Sequence, residues 1–236
     1  MPQKIVDQHV PNVILFDGGR GLFSRLRRLR ADVFFDARAR SIFERGGDIL
    51  DLGGGLRLDS RGGKVNQENA KRYGHHLLKP NVHFLVSDYT DKYGPDLVED
   101  IHAMTLPSNS LDGLFCIAVL EHVYDPKKAA EEIVRVLKPG GRALLYVPFL
   151  YRYHAHSSDY HDYFRYTKDG IAYLFRGCSH IELCPVRGLF ESLLKVTPLY
   201  GFSPFRILAR LIDESTVRMR KVSAIQTSGY HIYIEK

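Results

Sequence analysis

The sequence predicts an α/β fold: a mostly parallel, doubly wound sheet with helices on both faces and an antiparallel closing strand. From Asp48 onward, short apolar runs alternate with helical patterns, which is typical of parallel sheets. The first apolar run ends in a glycine-rich turn at residues 53–55, and residues 230–234 alternate in polarity as a closing strand does. These features predict a ligand site at the carboxyl edge of the sheet.

The predicted elements follow in chain order. The best-marked helix begins at Pro126, is capped by Asp125 and ends before residues 139–141, where proline and glycine stop it. A second helix is predicted to follow Thr167, and a helical insertion spans about residues 188–220, where it packs on the core, roofs a pocket or forms a dimer contact. The predicted strands are residues 49–52, 82–87, 97–98, 113–118, 142–147, 181–184 and 230–234.

Size and composition suit one globular domain. The chain has 236 residues, 44% of them hydrophobic and 25% charged. Its longest apolar stretches, such as residues 114–120, are far shorter than the roughly 20 residues of a transmembrane helix, and residues 1–10 lack the pattern of a secretory signal. The odd cysteine set has no metal spacing and favours a reducing, cytoplasmic location; it comprises Cys116, Cys178 and Cys184.

The N-terminal segment is predicted to be a basic amphipathic helix, in a chain of net charge +6. We expect its arginines to form a solvated face on a helix that packs against the domain; phosphate or membrane-surface binding is the alternative. The arginines are Arg20, Arg25, Arg27, Arg28, Arg30, Arg38 and Arg40. The apolar face is predicted from Leu22, Leu26, Leu29 and Val33.

The glycine turn indicates a nucleotide-type cofactor. Asp51 and the three glycines Gly53, Gly54 and Gly55 end an apolar strand, and glycines let the backbone approach a ligand closely. The dinucleotide fingerprint requires another glycine three residues later, where this chain has Leu58. A nicotinamide cofactor is therefore disfavoured.

A carboxylate at the end of the second strand, Asp88, is placed to accept hydrogen bonds from ribose hydroxyls. It lies 88 − 55 = 33 residues beyond Gly55, against roughly 20 in the usual fingerprint. The intervening segment, rich in arginine and glycine, is therefore expected to loop out, either as a surface excursion or as a cover over the cofactor.

Several ordered motifs between residues 48 and 148 carry a family resemblance. They are D-L-G-G-G at 51–55, E-D-I at 99–101, V-L-E-H at 119–122 and R-V-L-K-P-G-G at 135–141. This set resembles the class I S-adenosylmethionine-dependent methyltransferases, which have a Rossmann-like fold. The resemblance implies that residues 48–150 form the cofactor-binding core. Residues 1–46 are then a basic helical extension, and residues 151–236 hold an acceptor loop, the insertion and the closing strands.

The resemblance also implies roles for individual residues. The turn from Asp51 would hold the methionine end of S-adenosylmethionine, and Asp88 its ribose. Asp100 would accept from the adenine amino group, the backbone N–H of Ile101 would donate to the adenine ring, and Ala118 would lie on the cofactor side of the fourth strand. Because the cofactor carries its own activated methyl group, the protein needs few catalytic residues.

The segment 151–167 holds five tyrosines, three histidines, two aspartates and two arginines just after the fifth strand. We expect it to recognise the acceptor, with His154, Asp162 and Arg165 as catalytic candidates. Its string D-Y-F-R-Y-T resembles one found in a subgroup of bacterial methyltransferases. Metal binding through its H-x-H spacing is less favoured, and no metal is predicted. A purely structural loop with Asp162 and Arg165 paired internally is a further alternative.

His122, just past the fourth strand, is the other candidate base, because a histidine pKa near 6.5 suits proton uptake at neutral pH. A structural or cofactor-side role for His122 is equally compatible with the pattern. The base is therefore predicted to be His154 or His122.

The predicted function is transfer of a methyl group from S-adenosylmethionine to an oxygen or nitrogen of a small-molecule or saccharide acceptor. Methylation of RNA, at ribose or in tRNA, is one alternative, and nucleic acid is a less favoured partner. Base methylation in this fold commonly uses Asn or Asp followed by Pro-Pro and an aromatic, whereas residues 117–120 read Ile-Ala-Val-Leu. A non-catalytic module that binds S-adenosylmethionine is the other alternative. A homodimer and peripheral membrane contact are also considered.

Overall fold

In the computed structural model, which describes residues 13–16, 27–155 and 160–236, a single eight-stranded sheet organises the chain. The strands are β1 (Ile14–Leu15), β2 (Gly47–Leu52), β3 (Val82–Asp88), β4 (Leu97–Val98), β5 (Leu111–Ile117), β6 (Leu137–Pro148), β7 (His180–Pro185) and β8 (Gly229–Glu235). Their order across the sheet is β1-β7-β8-β6-β5-β2-β3-β4. Only β8 runs antiparallel to its neighbours among these strands, which confirms the predicted mixed sheet.

Seven α-helices accompany the strands in the described residues. They are α1 (Arg27–Arg45), α2 (Gln67–Tyr73), α3 (Pro126–Val136), α4 (Lys168–Leu174), α5 (Leu189–Lys195), α6 (Ser203–Glu214) and α7 (Val217–Ile225). Helix α3 begins as predicted, because the Asp125 carboxylate accepts from the Lys128 backbone N–H at 3.1 Å and Pro126 occupies the first turn. Thr167 caps α4 by accepting from the Gly170 N–H.

Alternating strand residues fill two apolar layers, one on each face of the sheet. On β5, Leu114 packs in the layer that contains α3 and α4, whereas its neighbour Phe115 packs in the layer that contains α1. Leu145 and Leu144 of β6 divide in the same way. The helices therefore cover both faces, as the sequence predicted, and leave the carboxyl ends of the strands for the site.

The packing face of α1 differs from the predicted one. Phe34, Ile42 and Phe43 are buried against the sheet, whereas Val33 is 61% exposed. Phe34 and Ile42 lie about two turns apart and so share the core-facing side, which turns Val33 outward. Leu22 and Leu26 lie outside the described residues. Arg38 reaches across the sheet edge and pairs with Glu182 at 2.5 Å.

The segment between β2 and β3 folds into helices rather than the predicted loop. Helix α2 is capped by Asn66, whose side chain accepts from the N–H groups of the next turn. Arg61 ties the segment to β3, because its guanidinium pairs with both Asp59 and Asp96. Asp96 in turn accepts from the backbone N–H of Val86 on β3. The long spacing before Asp88 is therefore a structured insertion.

The predicted helical insertion is observed as α5, α6 and α7. Many of its apolar side chains are exposed, including Leu193 at 50% and Leu211 at 61%. Lys195 of α5 lies over the Tyr151 ring, with its Nζ 4.0 Å from the ring centroid, so the insertion adjoins the predicted acceptor loop. In the part of the chain that the structure describes, no helix combines the length and apolar character needed to cross a bilayer.

Candidate active site

The glycine turn after β2 lies at the carboxyl edge of the sheet and is packed without space for side chains. Gly53 has φ +81°, and a Cβ on it would lie 2.5 Å from Cγ2 of Val119. A Cβ on Gly55 would lie 2.7 Å from Cβ of Ile117. Gly54 also has a positive φ, of 58°. Val119 and Ile117 therefore occupy the space that side chains at Gly53 and Gly55 would need, so the turn requires glycine at both positions.

Asp51 places a buried carboxylate beneath the turn. Its side chain is 1% exposed, and one oxygen accepts from the Leu56 N–H at 3.0 Å. The other oxygen, Oδ1, is buried without a hydrogen-bond partner in the structure. Burial raises the pKa of Asp51 to about 7, against the lowering effect of backbone N–H groups. An orphaned acceptor at this place suits a cationic donor such as the amino group of a bound methionine.

Asp88 and Asp100 follow neighbouring strands and lie along the same edge. Asp88 ends β3, one residue beyond the pairing of Leu52 with Ser87, and therefore lies beside the glycine turn. Asp100 follows β4, and its carboxylate accepts from both the backbone N–H and Nδ1 of His102. Burial raises the pKa of Asp100, but these hydrogen bonds outweigh it and lower the pKa overall.

The remaining predicted cofactor residues lie where the strands end. Ile101 is buried in the apolar core directly after Asp100. Ala118 follows β5 and has φ +59°, a conformation that a residue with a Cβ rarely adopts. The sequence predicted a strand through Ala118, whereas β5 ends at Ile117 and the chain turns there into a 3₁₀ helix at Leu120–His122.

That turn places Glu121 and His122 next to His154 of the acceptor loop, residues 151–167. Glu121 Oε1 lies 3.9 Å from His122 Nε2 and 3.7 Å from His154 Nε2. One ligand-capable atom from each of the three residues lies within 4.8 Å of the other two. The two predicted bases, His122 and His154, are thus brought together, and their ring centroids are 5.0 Å apart.

Glu121 is the functional candidate that the sequence reasoning missed. Its side chain is 1% exposed, and Oε2 is buried without a hydrogen-bond partner in the structure. Burial raises its pKa to about 7. Burial likewise lowers the pKa of His122, which favours the neutral imidazole. One feature of the sequence could have identified Glu121: it is an acidic residue next to His122, directly after an apolar strand. Buried acids at such positions are candidates for functional sites.

The acceptor loop is fixed to this turn by main-chain groups. The Glu121 carbonyl accepts from the N–H groups of Tyr163 at 2.8 Å and Phe164 at 3.2 Å. Nδ1 of His122 donates to the His161 carbonyl at 2.5 Å. The Tyr166 hydroxyl, which is buried, donates to the Leu120 carbonyl at 2.5 Å.

Asp162 and Arg165 organise the same loop from within. Their side chains form a two-point ion pair, with distances of 2.5 and 2.6 Å. Asp162 also accepts from the His154 backbone N–H at 2.8 Å, and Arg165 donates to the carbonyls of Tyr151 and Arg152. The Arg165 guanidinium lowers the pKa of Asp162 to about 2. Asp162 and Arg165 are therefore placed to position His154. Their ion pair is also the internal pairing expected for a purely structural loop.

Comparison with known proteins agrees with this architecture. Residues 62–145 match a family described as a methyltransferase domain. A solved S-adenosylmethionine-dependent methyltransferase from Archaeoglobus fulgidus superposes with a TM-score of 0.53 over 91% of this chain and 98% of that one, at 14% identity. At that identity the likeness shows the fold. The family match covers residues 62–145 of the 236, and the superposition shows that the chain has the fold of the Archaeoglobus fulgidus methyltransferase.

More particular relatives share only part of the chain. The ubiquinone biosynthesis O-methyltransferase of Xanthomonas oryzae pv. oryzae is 35% identical over 103 residues, which are 42% of this chain and 42% of the relative. The corresponding protein of Xanthomonas axonopodis pv. citri is 34% identical over the same length. The chain therefore spans well under half the length of the curated relatives that it matches.

Proposed function

We propose that this protein transfers the methyl group of S-adenosylmethionine to an oxygen or nitrogen of a small-molecule acceptor. The observation that carries the proposal is the meeting, at one sheet edge, of a side-chain-free glycine turn and the Glu121–His122–His154 cluster. One is suited to the cofactor and the other to removing a proton from an acceptor.

The residues along the edge fit the cofactor. The turn of Gly53 and Gly55 would present main-chain groups to its methionine end, and Oδ1 of Asp51, which has no hydrogen-bond partner in the structure, would accept from its amino group. Asp88 would bind the ribose, and Asp100 with Ile101 the adenine. When bound, S-adenosylmethionine would supply a methyl carbon on a sulfonium sulfur; the acceptor lone pair would bond to that carbon, and the electron pair of the broken carbon–sulfur bond would stay on sulfur.

The acceptor side supplies proton removal and orientation. Nε2 of His122 and Nε2 of His154 lie 3.9 and 3.7 Å from Oε1 of the buried Glu121, so this cluster would promote loss of the acceptor's proton. Asp162 and Arg165 would hold His154 in place through the loop backbone. The exposed rings of Tyr153 and Tyr160 would contact the acceptor.

The class of acceptor is supported by the relatives. The Xanthomonas oryzae protein is named for O-methylation in ubiquinone biosynthesis, which supports an oxygen of a small molecule. A saccharide hydroxyl is the second acceptor within this proposal, since tyrosine rings also stack on sugars. The three cysteines are buried thiols, which supports action in a reducing compartment such as the cytoplasm.

A homodimer is part of the same proposal. The exposed apolar side chains of α5 and α6, including Leu193, Phe205, Leu208 and Leu211, form a stripe larger than isolated surface residues require. A second copy of the chain would bury that stripe beside the acceptor loop, which α5 already touches through Lys195 and Tyr151.

Calorimetric titration tests the cofactor half directly. S-adenosylmethionine is expected to bind and NAD is not; binding of NAD alone would overturn the proposal. Asp88→Ala should weaken cofactor binding, with the exposed Asp169→Ala as control. A panel of phenols, sugars and amines with labelled cofactor then tests transfer, and binding without transfer to any of them would favour a non-catalytic module.

A further inference from the structure

We propose that Glu121, His122 and His154 hold one divalent transition-metal cation at the acceptor end of the site. No metal was predicted from the sequence, where the only candidate spacing was the H-x-H within the loop. The structure instead joins His154 to two neighbouring residues at the end of β5. The role given to the cation rests on the proposed methyl transfer, whereas its binding does not.

The spacing of the three ligand atoms suits a cation. Metal–nitrogen and metal–oxygen bonds of about 2.0–2.2 Å at a tetrahedral angle place ligand atoms about 3.4 Å apart. Glu121 Oε1 lies 3.7 Å from His154 Nε2 and 3.9 Å from His122 Nε2. These two distances are too long for hydrogen bonds and would shorten by a few tenths of an ångström around a shared cation, and all three ligand atoms lie within 4.8 Å of one another.

The second observation is the unsatisfied carboxylate. Glu121 is nine-tenths buried or more, and its Oε2 has no hydrogen-bond partner in the structure. A buried carboxylate without a partner is costly, so a group that compensates it is expected. Arg165, whose positive charge acts on Glu121, is paired with Asp162. A cation between Glu121 and the two imidazoles would supply the missing charge.

Contacts at Nδ1 of both imidazoles leave Nε2 available for metal coordination. Nδ1 of His122 donates to the His161 carbonyl, which leaves the lone pair on Nε2, 3.9 Å from Glu121 Oε1. Nδ1 of His154 lies 3.2 Å from the Arg152 carbonyl and 3.2 Å from Asp162 Oδ2. Either contact keeps the proton on Nδ1 and leaves Nε2 free. Metal-binding histidines are held by such backbone carbonyls and carboxylates.

The ligand set indicates the kind of cation and its use. Two imidazoles and one carboxylate suit zinc, iron, cobalt or manganese better than magnesium or calcium, which prefer oxygen ligands. Three protein ligands leave a coordination position open. An acceptor hydroxyl bound there would have a lowered pKa and release its proton to water, so the histidines would act as ligands and not as direct bases.

The test is titration of chelator-treated full-length protein with Zn²⁺ alone and with Co²⁺ alone. We expect one cation per chain, with visible Co²⁺ absorption that reports imidazole coordination. Glu121→Gln and His154→Gln should each weaken binding about tenfold or more. His83→Gln is the matched control, because His83 is an exposed histidine on β3 that pairs with Asp48, and it should change affinity less than about twofold.

Two outcomes overturn the metal site: no cation binds, or binding is unchanged by both Glu121→Gln and His154→Gln, which would mark an adventitious ion only. If one variant fails to fold, as circular dichroism would show, the other carries the test. Cofactor binding separates this inference from the proposed function. A protein that binds S-adenosylmethionine and no cation refutes the metal site alone, and one that binds the cation and no cofactor refutes the methyltransferase proposal alone.

Discussion

Val119 packs against Gly53 so closely that Cγ2 of Val119 would lie 2.5 Å from a Cβ at position 53. The contact joins the glycine turn after β2 to the segment that leads into Glu121 and His122. The proposed cofactor side and acceptor side of the site are therefore packed directly against each other at this point.

Gly55→Ala is expected to damage cofactor binding. The new Cβ would lie 2.7 Å from Cβ and 2.8 Å from the carbonyl oxygen of Ile117, so backbone must move. We expect a loss of stability of about 1–3 kcal/mol from overpacking and at least tenfold weaker binding of S-adenosylmethionine in calorimetry. Gly177→Ala is the control, because a Cβ there meets no atom within 4 Å. Equal affinities for the two variants would contradict the assignment of the turn.

Tyr166→Phe is expected to loosen the acceptor loop. The substitution removes the donor to the Leu120 carbonyl and leaves that buried acceptor unpaired, which costs about 1–3 kcal/mol. Urea unfolding measures the loss, and the turnover number should fall more than cofactor affinity. Tyr153→Phe, at a side chain that is 74% exposed, should leave stability unchanged. Unchanged stability of Tyr166→Phe would show that the hydroxyl contact does not hold the loop.

Asp162→Asn is expected to act through His154. The variant retains an acceptor for the His154 N–H but loses the charged pairing with Arg165. Turnover should fall about tenfold or more with cofactor affinity preserved. Because the pKa of Asp162 is lowered to about 2, its stabilising contribution is present at neutral pH and is lost only as pH falls toward that value. A wild-type activity profile that reported Asp162 titration between pH 5 and 8 would oppose this reading.

His76 is expected to make stability depend on pH. Its ring is 2% exposed, stacks on Phe43, and has no hydrogen-bond partner at either nitrogen in the structure. Burial lowers its pKa to about 4, so between that value and about 6.5 the unfolded state binds more protons. Stability present above pH 6.5 should therefore decrease on acidification, by about 1.4 kcal/mol from pH 7.5 to 5.5.

Urea unfolding at those two pH values measures the effect. His76→Phe retains the stack on Phe43 and should reduce the pH dependence by that amount. His83→Gln, at an exposed histidine on β3 that pairs with Asp48, should leave it unchanged. The same pH dependence in His76→Phe as in the wild type would place the titration elsewhere.

Leu211→Asp tests the proposed dimer. Light scattering after size-exclusion chromatography should give a dimer for the wild type and a monomer for the variant, because a buried charge opposes association. Leu78→Asp is the control, since Leu78 is 86% exposed outside the insertion and should leave the dimer intact. A monomeric wild type would overturn the homodimer.

The sheet and its edge were predictable because local patterns encode them. Asp125 and Pro126 fix the start of α3, and strand alternation fixes which residues face each layer. The structured insertion before Asp88 was not predictable, because Arg61 is held there by Asp96, a partner 35 residues away. An ion pair between residues far apart in the chain produces no local sequence pattern from which it could be predicted.

The candidate site likewise contains residues that local sequence patterns predict and residues that only tertiary contacts reveal. Gly53 and Gly55 were identifiable from the sequence as a glycine turn, and the structure accommodates only glycine at both positions. Glu121 became a candidate only through its burial beside His154, 33 positions further along the chain. The left-handed Ala118 that turns β5 toward this cluster is likewise set by tertiary packing and not by its own propensity.

The main-chain anchoring of the acceptor loop bears on how the protein can change over evolutionary time. The N–H groups of Tyr163 and Phe164 and the carbonyl of His161 are backbone atoms that nearly every residue type provides. Mutations that exchange these side chains would retain the anchor. Specificity for the acceptor can thus diverge among descendants of this sequence while the catalytic geometry is inherited unchanged.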